Sequence, residues 1–307
     1  MSAAHVIRPG LLTTVQDLGR WGWQSQGVSV SGPMDPRAHR LANLLVGNQA
    51  DLATLEISFV GPELTFDRDR TVAICGADFV VTVDDHLAAS GTPFRVPQGA
   101  RLRFAARSRG SRAYLAVDGG VAVDPVFGSR ATHVSTHLGG YRGRALVAGD
   151  QLPLGPPAGR RPLPRARALL DIPPGHARLR ILATSQLDRF HRDALARLQS
   201  ARYTVRNDSD RMGYRLEGPA LRTTSGQLLS EPSTLGALQV PPDGQPILLM
   251  ADRQTTGGYP KLATVIAADI GLAGQLGPGD TLTFAVCDRQ EALAALIAQE
   301  RLLMAVQ

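Results

Sequence analysis

Short runs of apolar and β-branched residues recur along the chain, and glycine and proline separate them. Clear examples are residues 71–74, 79–83, 113–117 and 179–182. Runs of this length between turn-forming residues are typical of β-strands, and many in succession predict a barrel or a sandwich. The 32 glycines and 21 prolines of the chain supply the turns that such a fold needs. We therefore expect a mainly β protein.

Two segments in the body of the chain show the spacing of a helix instead. The first has Asp35 as its N-cap, Pro36 at its first helical position and Gly47 as its terminator. The second is predicted from about Gln186 to Gln199, where apolar residues recur at helical intervals.

A third helix is predicted near residue 288. It begins at Asp288, and Glu291 is placed to complete a capping box with it. Its apolar residues fall at helical spacing, so we expect it to bury Leu293, Leu296 and Ile297.

A stretch rich in proline, arginine and glycine, residues 153–167, lacks any periodicity and is typical of a linker. It divides the chain into an N-terminal β unit (1–152) and a C-terminal β unit with a terminal helix (168–307). A chain of 307 residues is long enough for two domains of ordinary size.

Composition narrows the class of protein. The 43% apolar and 20% charged residues are those of a globular protein, and neither a signal-peptide pattern nor a long apolar run is visible. The two cysteines cannot form a disulfide framework, which favours a cytoplasmic location. The net charge of +6 rests on scattered arginines, and aromatic residues make up 5%. We therefore expect neither nucleic-acid nor membrane binding.

One polar segment stands out, the ten residues from Asp252 to Lys261 (DRQTTGGYPK). Among 33 basic residues, Lys261 is the single lysine. The segment follows the apolar run 247–250, and polar loops at the ends of buried strands often carry chemistry. The alternative is an ordinary Gly-Gly turn with solvated neighbours.

The position of Lys261 excludes two kinds of site on this chain. A P-loop needs lysine followed by Ser or Thr, whereas Lys261 lies between Pro260 and Leu262. A biotin or lipoate carrier needs a lysine on an exposed hairpin tip, usually flanked by methionine. Lys261 has no such context, so we expect no covalent biotin on this chain. Any swinging cofactor would be carried by another chain.

Nine motifs, taken in order, resemble the allophanate hydrolase subunit 2 family, also described as the C and D subdomains of the carboxyltransferase part of urea carboxylase. They are residues 10–20 (GLLTTVQDLGR), 31–35 (SGPMD), 42–48 (ANLLVGN), 74–78 (ICGAD), 116–120 (AVDGG), 128–130 (GSR), 210–216 (DRMGYRL), 239–244 (QVPPDG) and 252–261. The resemblance covers nearly the whole chain. Two positions depart from the family pattern, Pro33 in place of alanine and Pro232 where glycine is common.

The resemblance implies two tandem cyclophilin-like β-barrel units. Stand-alone members of this size resemble the PxpC (KipA) component of bacterial ATP-dependent 5-oxoprolinase, which converts 5-oxo-L-proline to L-glutamate. The resemblance also implies a KipI-like partner (PxpB), a PxpA-like subunit, and ATP with Mg²⁺ used by the complex. Two alternatives stay open: a carboxyltransferase that uses biotin on another chain, and a regulatory protein that binds a kinase inhibitor.

Opening a lactam requires charge stabilisation, a bound substrate and a general base. Lys261 suits a phosphoryl or carbonyl oxygen, and Asp252 suits a base or a Mg²⁺ ligand. With Gln254 they form the predicted catalytic set. The predicted substrate-binding residues of the same segment are Thr255, Thr256, Gly257, Gly258 and Tyr259.

Further candidates lie outside that segment. Arg211 suits a substrate carboxylate, with a structural salt bridge as the alternative, and Ser31 and Asp35 are expected on a facing loop. Glu56 alternates with apolar neighbours and is expected on a solvated strand face, with a second catalytic acid as the alternative. His133 and His137 are four residues apart but lack helix signals, so we predict no metal site.

Overall fold

The structure is a computed structural model that describes residues 2–157, 171–224 and 228–305. It divides into two compact units. The first comprises Met1–Arg20, Ser31–Ile172 and Leu302–Gln307, and the second comprises Trp21–Val30 and Pro173–Arg301.

Each unit therefore takes chain from both halves of the sequence, which the linear division at a linker did not anticipate. Most of the predicted linker, residues 158–167, lies outside the described residues. Pro153 and Leu154, at its start, belong to a β-strand.

Nine strands among the described residues build the first unit. They are β1 (Ser2–Arg8), β2 (Leu12–Gln16), β3 (Thr54–Ser58), β4 (Glu63–Phe66), β5 (Arg70–Val83), β6 (His86–Ala88), β7 (Phe94–Val96), β8 (Leu102–Val117) and β9 (Gln151–Leu154). Six pair in the order β2-β3-β8-β4-β1-β9, and β5 pairs with β6, β7 and β8. The sheet forms a half-barrel. Register shifts between Gly76 and Val81 interrupt the long β5–β8 ladder, and such bulges increase the bend of a sheet.

The second unit contains a closed barrel of seven strands in the order β10-β17-β14-β15-β12-β11-β18. The strands of this unit are β10 (His176–Ala183), β11 (Tyr203–Val205), β12 (Gly213–Glu217), β13 (Glu231–Pro232), β14 (Ala237–Gln239), β15 (Ile247–Leu249), β16 (Thr256–Gly257), β17 (Lys261–Val265) and β18 (Thr281–Val286). Strands β13 and β16 form a separate ribbon. Ala177, Leu179 and Ile181 are buried at every second position of β10, the period expected of a barrel strand. The predicted mainly β, two-unit architecture is confirmed.

Four short α-helices accompany the strands in the described part of the chain: α1 (Pro36–Leu45), α2 (Ala194–Ser200), α3 (Ile270–Gly274) and α4 (Arg289–Met304). The predicted start of α1 is confirmed, because the Asp35 carboxylate accepts a hydrogen bond from the Ala38 N–H at 3.0 Å. Over the described residues, no helix is long and apolar enough to cross a membrane.

The predicted capping box of α4 is also confirmed. The Asp288 N–H donates to the Glu291 carboxylate at 2.9 Å, and the Glu291 N–H donates back to Asp288 at 2.8 Å. The predicted buried face is wrong, since Leu293 and Ile297 are 57% and 41% exposed and Leu296 is half-buried. Helical spacing identified the apolar stripe, but packing within the unit leaves it largely uncovered.

The helix predicted from Gln186 to Gln199 is interrupted. Residues Leu187–Arg189 form a 3-10 turn, Phe190 is extended, and α2 begins only at Ala194. Phe190 bridges to Thr223, and the His191 N–H donates to the Arg222 carbonyl at 2.9 Å. This pairing with a distant segment overrides the local helical spacing.

Candidate functional site

The predicted segment 252–261 connects barrel strands β15 and β17 in the second unit. Between them, Thr256–Gly257 pairs with Glu231–Pro232 to form the β13–β16 ribbon. The ribbon gives part of the segment a regular backbone, so its side chains are presented from a defined surface.

An ion pair fixes the start of the segment. Arg211 donates two hydrogen bonds to Asp252, from Nε to Oδ2 at 2.9 Å and from Nη2 to Oδ1 at 3.1 Å. Both residues are buried, and the Asp252 N–H donates to the Arg211 carbonyl at 2.8 Å. A bidentate geometry restricts both side chains. Arg211 thus engages both oxygens of the carboxylate that the sequence suggested as a base.

Arg253, which the sequence analysis did not single out, is the next buried residue. Burial lowers the pKa of its guanidinium, and the charge of Asp252 opposes that shift. The Arg253 carbonyl accepts a hydrogen bond from the Ser29 hydroxyl at 2.8 Å. The segment from Trp21 to Val30 therefore helps to hold this loop.

The end of the segment is held by contacts that are closer to the surface. Lys261 Nζ lies 3.1 Å from Glu231 Oε2 and 3.1 Å from the Pro232 carbonyl. Gln186 joins both residues, because its Nε2 donates to Glu231 at 2.7 Å and its Oε1 accepts from the Lys261 N–H at 2.7 Å. The Lys261 side chain is 12% exposed and that of Glu231 is 49% exposed. The ammonium is therefore paired, but with a carboxylate that water can reach.

Between these ends, the predicted binding residues differ in burial. Gln254, Thr256 and Tyr259 are exposed, whereas Thr255 and Gly257 are half-buried. The Thr255 carbonyl accepts a hydrogen bond from the Ser233 N–H at 2.8 Å, which anchors the loop to the residue directly after β13.

Gly258 is half-buried as well, and a Cβ built on it would lie 3.1 Å from the Leu228 carbonyl oxygen. A larger residue would therefore press on neighbouring backbone. Within segment 252–261, the structure brings Gln254, Gly257 and Lys261 around one part of the ribbon.

Ser31 and Asp35 belong to the first unit, where the structure places both in a buried turn. Ser31 has a positive φ of 57°. The Asp35 carboxylate caps α1, and its N–H donates to the Tyr114 hydroxyl at 2.8 Å. Their predicted part in substrate binding stays a prediction.

Glu56 also lies in the first unit, and its expected solvated position is wrong. It is 1% exposed and accepts hydrogen bonds from the Tyr114 hydroxyl at 2.7 Å and the Met34 N–H at 2.9 Å. Burial, followed by the charges of Glu56 and Asp35, raises the pKa of Tyr114 well above its ordinary value. Tyr114 therefore stays a phenol and donates. We call Glu56, Tyr114 and the backbone of Met34 and Asp35 the Glu56 network.

Histidines 133 and 137 flank a 3-10 turn, Val134–Thr136. His133 forms a bridge with Leu138, which closes the turn. The described part of the chain contains no group of three or more His, Cys, Asp or Glu side chains placed to hold a metal ion.

Comparison with known proteins identifies the family of this chain. The family model for the carboxyltransferase domain, subdomain A and B, matches residues 26–286. The chain belongs to the carboxyltransferase subdomain A and B family. The resemblance to a carboxyltransferase family drawn from the nine sequence motifs is thereby confirmed. Its description as subdomains C and D was wrong, because the matching model is that of subdomains A and B.

Two bacterial relatives match the chain nearly end to end. The chain is 40% identical to the C subunit of 5-oxoprolinase from Escherichia coli K12, over 96% of this chain and 95% of the relative. It is 37% identical to the C subunit of 5-oxoprolinase from Haemophilus influenzae, over 91% and 89% respectively.

Solved structures show the same fold within longer proteins. The urea amidolyase of Kluyveromyces lactis matches with a TM-score of 0.93 and 30% identity over 99% of this chain, which is 20% of that chain. A second structure, TTHA0988, matches with a TM-score of 0.82 and 40% identity over 93% of this chain and 55% of that one. Sequences similar to this chain therefore occur both at nearly the same length and as part of longer chains.

Proposed function

We propose that this chain is the C subunit of an ATP-dependent 5-oxoprolinase, which opens the lactam of 5-oxo-L-proline to give L-glutamate. The observation that carries the proposal is the 40% identity to the Escherichia coli relative over 95% of its length. The chain contributes a substrate-binding surface, and its partners complete the active site.

The chemistry of a lactam explains what that surface must do. The amide nitrogen is a poor leaving group, so water adds productively only when the amide oxygen is activated and its developing charge is stabilised. In this proposal, Lys261 and Gln254 face the substrate, and Lys261 supplies the positive charge. ATP, when bound to the complex, would supply the phosphoryl transfer that drives ring opening.

The donors near the ribbon fit an amide substrate better than a triphosphate. Gln254 is neutral, and the single ammonium, Lys261, already lies beside Glu231. A triphosphate calls for several cationic or backbone donors and Mg²⁺ ligands, whereas Arg211 engages both oxygens of Asp252. We therefore assign nucleotide and Mg²⁺ binding to the partner subunits.

The remaining candidates are given supporting roles. The Arg211–Asp252 pair holds the start of the loop, and Thr255, Thr256, Gly258 and Tyr259 shape its surface. Ser31 and Asp35 stay candidates for substrate binding. The proposed partners are a KipI-like subunit (PxpB) and a PxpA-like subunit.

Reconstitution tests this function. The chain purified alone should release no glutamate from 5-oxoproline with ATP and Mg²⁺, whereas the same chain with its KipI-like and PxpA-like subunits should do so. Absence of glutamate from the full complex would refute the function. Strong activity from the isolated chain would refute only the dependence on partners.

A second candidate is a carboxyltransferase that takes CO₂ from biotin carried on another chain. The favouring observation is the structural match to urea amidolyase and the description of the family itself. Purified with a biotinylated carrier, the chain would then transfer labelled carboxylate to an amide acceptor. Under the leading proposal it transfers none. Both candidates predict that intact-mass analysis finds no biotin on this chain, whose single lysine is paired with Glu231.

A further inference from the structure

Two buried donors beside the ribbon have no hydrogen-bond partner among the described residues. They are the side-chain nitrogen Nε2 of Gln239 and the hydroxyl of Ser233. Gln239 is 1% exposed. Leaving a buried polar group without a partner is unfavourable, so such groups in a fold call for an explanation.

Both donors converge on Gly257. A Cβ built on Gly257 would lie 2.7 Å from Gln239 Nε2, 3.0 Å from Gln254 Nε2 and 3.5 Å from Ser233 Oγ. The absence of a side chain at this residue therefore lets two amides and a hydroxyl share one small volume. We call Gln239, Gln254 and Ser233 around Gly257 the Gly257 cradle.

The cradle extends from the surface into the unit. Gln254 is exposed, Gly257 is half-buried and Gln239 is fully buried. A ligand that enters beside Gln254 can thus reach Gln239 and lose its contact with water there. Hydrogen bonds in such a desolvated place discriminate more strongly than those at a surface.

Strand register adds a charge to this arrangement. Gln239 of β14 lies opposite Lys261 of β17, directly after a register shift between Leu238 and Gln239. Residues directly opposite each other on antiparallel strands point to the same face of the sheet. The cradle and the ammonium therefore share one face, and a bulge commonly re-aims side chains at such sites.

We propose that the Gly257 cradle binds the carbonyl oxygen of a cyclic amide, with Gln239 as its innermost donor. This assignment rests on the proposed function. Neutral amide and hydroxyl donors suit a carbonyl oxygen in the substrate, and they bind it more strongly as the oxygen gains charge during ring opening. Lys261, on the same face, adds to that stabilisation.

Binding measurements on the complete complex test the cradle. The probes are 5-oxoproline and 2-pyrrolidone, which carry the lactam oxygen, and proline and pyrrolidine, which lack it. The substitution Gln239→Leu should weaken binding of both lactams by about 10- to 100-fold, the effect of one buried hydrogen bond. Binding of proline and pyrrolidine should change less than about twofold, because they do not use the donor.

Gln245→Leu is the matched control. Its amide bonds both backbone groups of Gly218, at 3.0 and 3.1 Å, outside the cradle, so lactam binding should stay at the level of the unsubstituted complex. If Gln239→Leu does not fold, Ser233→Ala and Gly257→Ala replace it. The second adds a methyl group at a residue without positive φ and should weaken lactam binding at least about tenfold, since it fills the volume that the donors share.

The outcomes separate the two proposals. Lactam binding that survives Gln239→Leu, or a loss that is equal for proline and 5-oxoproline, would overturn the cradle. A complex that binds 2-pyrrolidone through Gln239 yet never releases glutamate would keep the cradle and remove the proposed function. Failure of the unsubstituted complex to bind either lactam would overturn both.

Discussion

The Glu56 network of the first unit and the Gly257 cradle of the second unit both bury polar side chains. They differ in whether those side chains have hydrogen-bond partners. In the network, the Glu56 carboxylate accepts hydrogen bonds from the Tyr114 hydroxyl and a backbone N–H. The Tyr114 hydroxyl also accepts a hydrogen bond from a second backbone N–H. In the cradle, Gln239 Nε2 and Ser233 Oγ are left without partners among the described residues. A satisfied network stabilises one conformation, whereas unsatisfied donors favour a ligand. Burial alone therefore does not distinguish a structural polar cluster from a binding site.

The largest expected effect is on the free energy of unfolding when the Glu56 network is broken. Glu56→Gln keeps the shape of the side chain but removes the charge that lies 4.0 Å from the buried Arg112. Breaking a buried ion pair typically costs about 3–5 kcal/mol, and urea unfolding of the purified protein measures it. The exposed Glu217→Gln should stay within about 0.5 kcal/mol. A loss below about 1 kcal/mol for Glu56→Gln would show that the network is not a closed structural unit.

The next effect concerns activity beside the cradle. Lys261→Met keeps most of the stem and removes the ammonium, so turnover of the reconstituted complex should fall by roughly 10²–10³-fold. Stability should change by less than about 1 kcal/mol, because Glu231 is half-exposed and stays hydrated. Lys261→Arg should rescue poorly, since a planar fork does not replace a compact charge. Normal turnover would show that Lys261 is a surface residue without a catalytic role, and a large loss of stability would show that it is structural, like Glu56.

Acid should act on the first unit through His39. Burial lowers the pKa of His39 to about 4, although the charge of Asp17 raises it and that of Arg40 lowers it further. Below about pH 6.5 the unfolded chain therefore binds a proton at this histidine that the folded chain does not bind. As a result, the free energy of unfolding falls as the pH drops.

The His39-dependent loss should be about 2 kcal/mol between about pH 7.5 and pH 5. Urea unfolding at the two pH values measures it. His39→Gln should reduce the difference between the two pH values by that amount, whereas the exposed His86→Gln should leave it unchanged. An unaltered pH dependence in the His39 variant would show that the pKa of His39 is the same in the folded and the unfolded chain.

The smallest effect is expected for Glu231, the partner of Lys261. Glu231→Gln should alter stability by less than about 1 kcal/mol, because the carboxylate is half-exposed. Thermal unfolding measures this change. A loss comparable to that of Glu56→Gln would mean that the end of segment 252–261 is as rigidly paired as the network.

Local signals in the sequence predicted local features well. The capping residues Asp35 and Asp288 act within one turn of their own helices, so neighbouring residues determine them. Phe190 was assigned to a helix because its pairing partner, Thr223, lies in a distant segment. Glu56 was assigned to solvent because alternation identifies the polar face of a strand but not what covers that face.

The candidate site was predictable only in part. The unusual composition of segment 252–261 drew attention to Gln254, Gly257 and Lys261. Gln239 was missed although it is an amide in an otherwise apolar run, residues 237–240, which is a signal in itself. Its pairing opposite Lys261 depends on strand register, and no local pattern gives that register.

Leu303, near the end of α4, is buried in the core cluster of the first unit together with Leu41, Leu45 and Tyr114. On the ribosome, most of that unit is therefore made long before one of its core residues emerges. The early part of the chain must wait with apolar surface uncovered while the second unit is synthesised, which exposes it to misassociation. The first unit, whose synthesis begins before that of the second, is therefore completed only when Leu303 has been made.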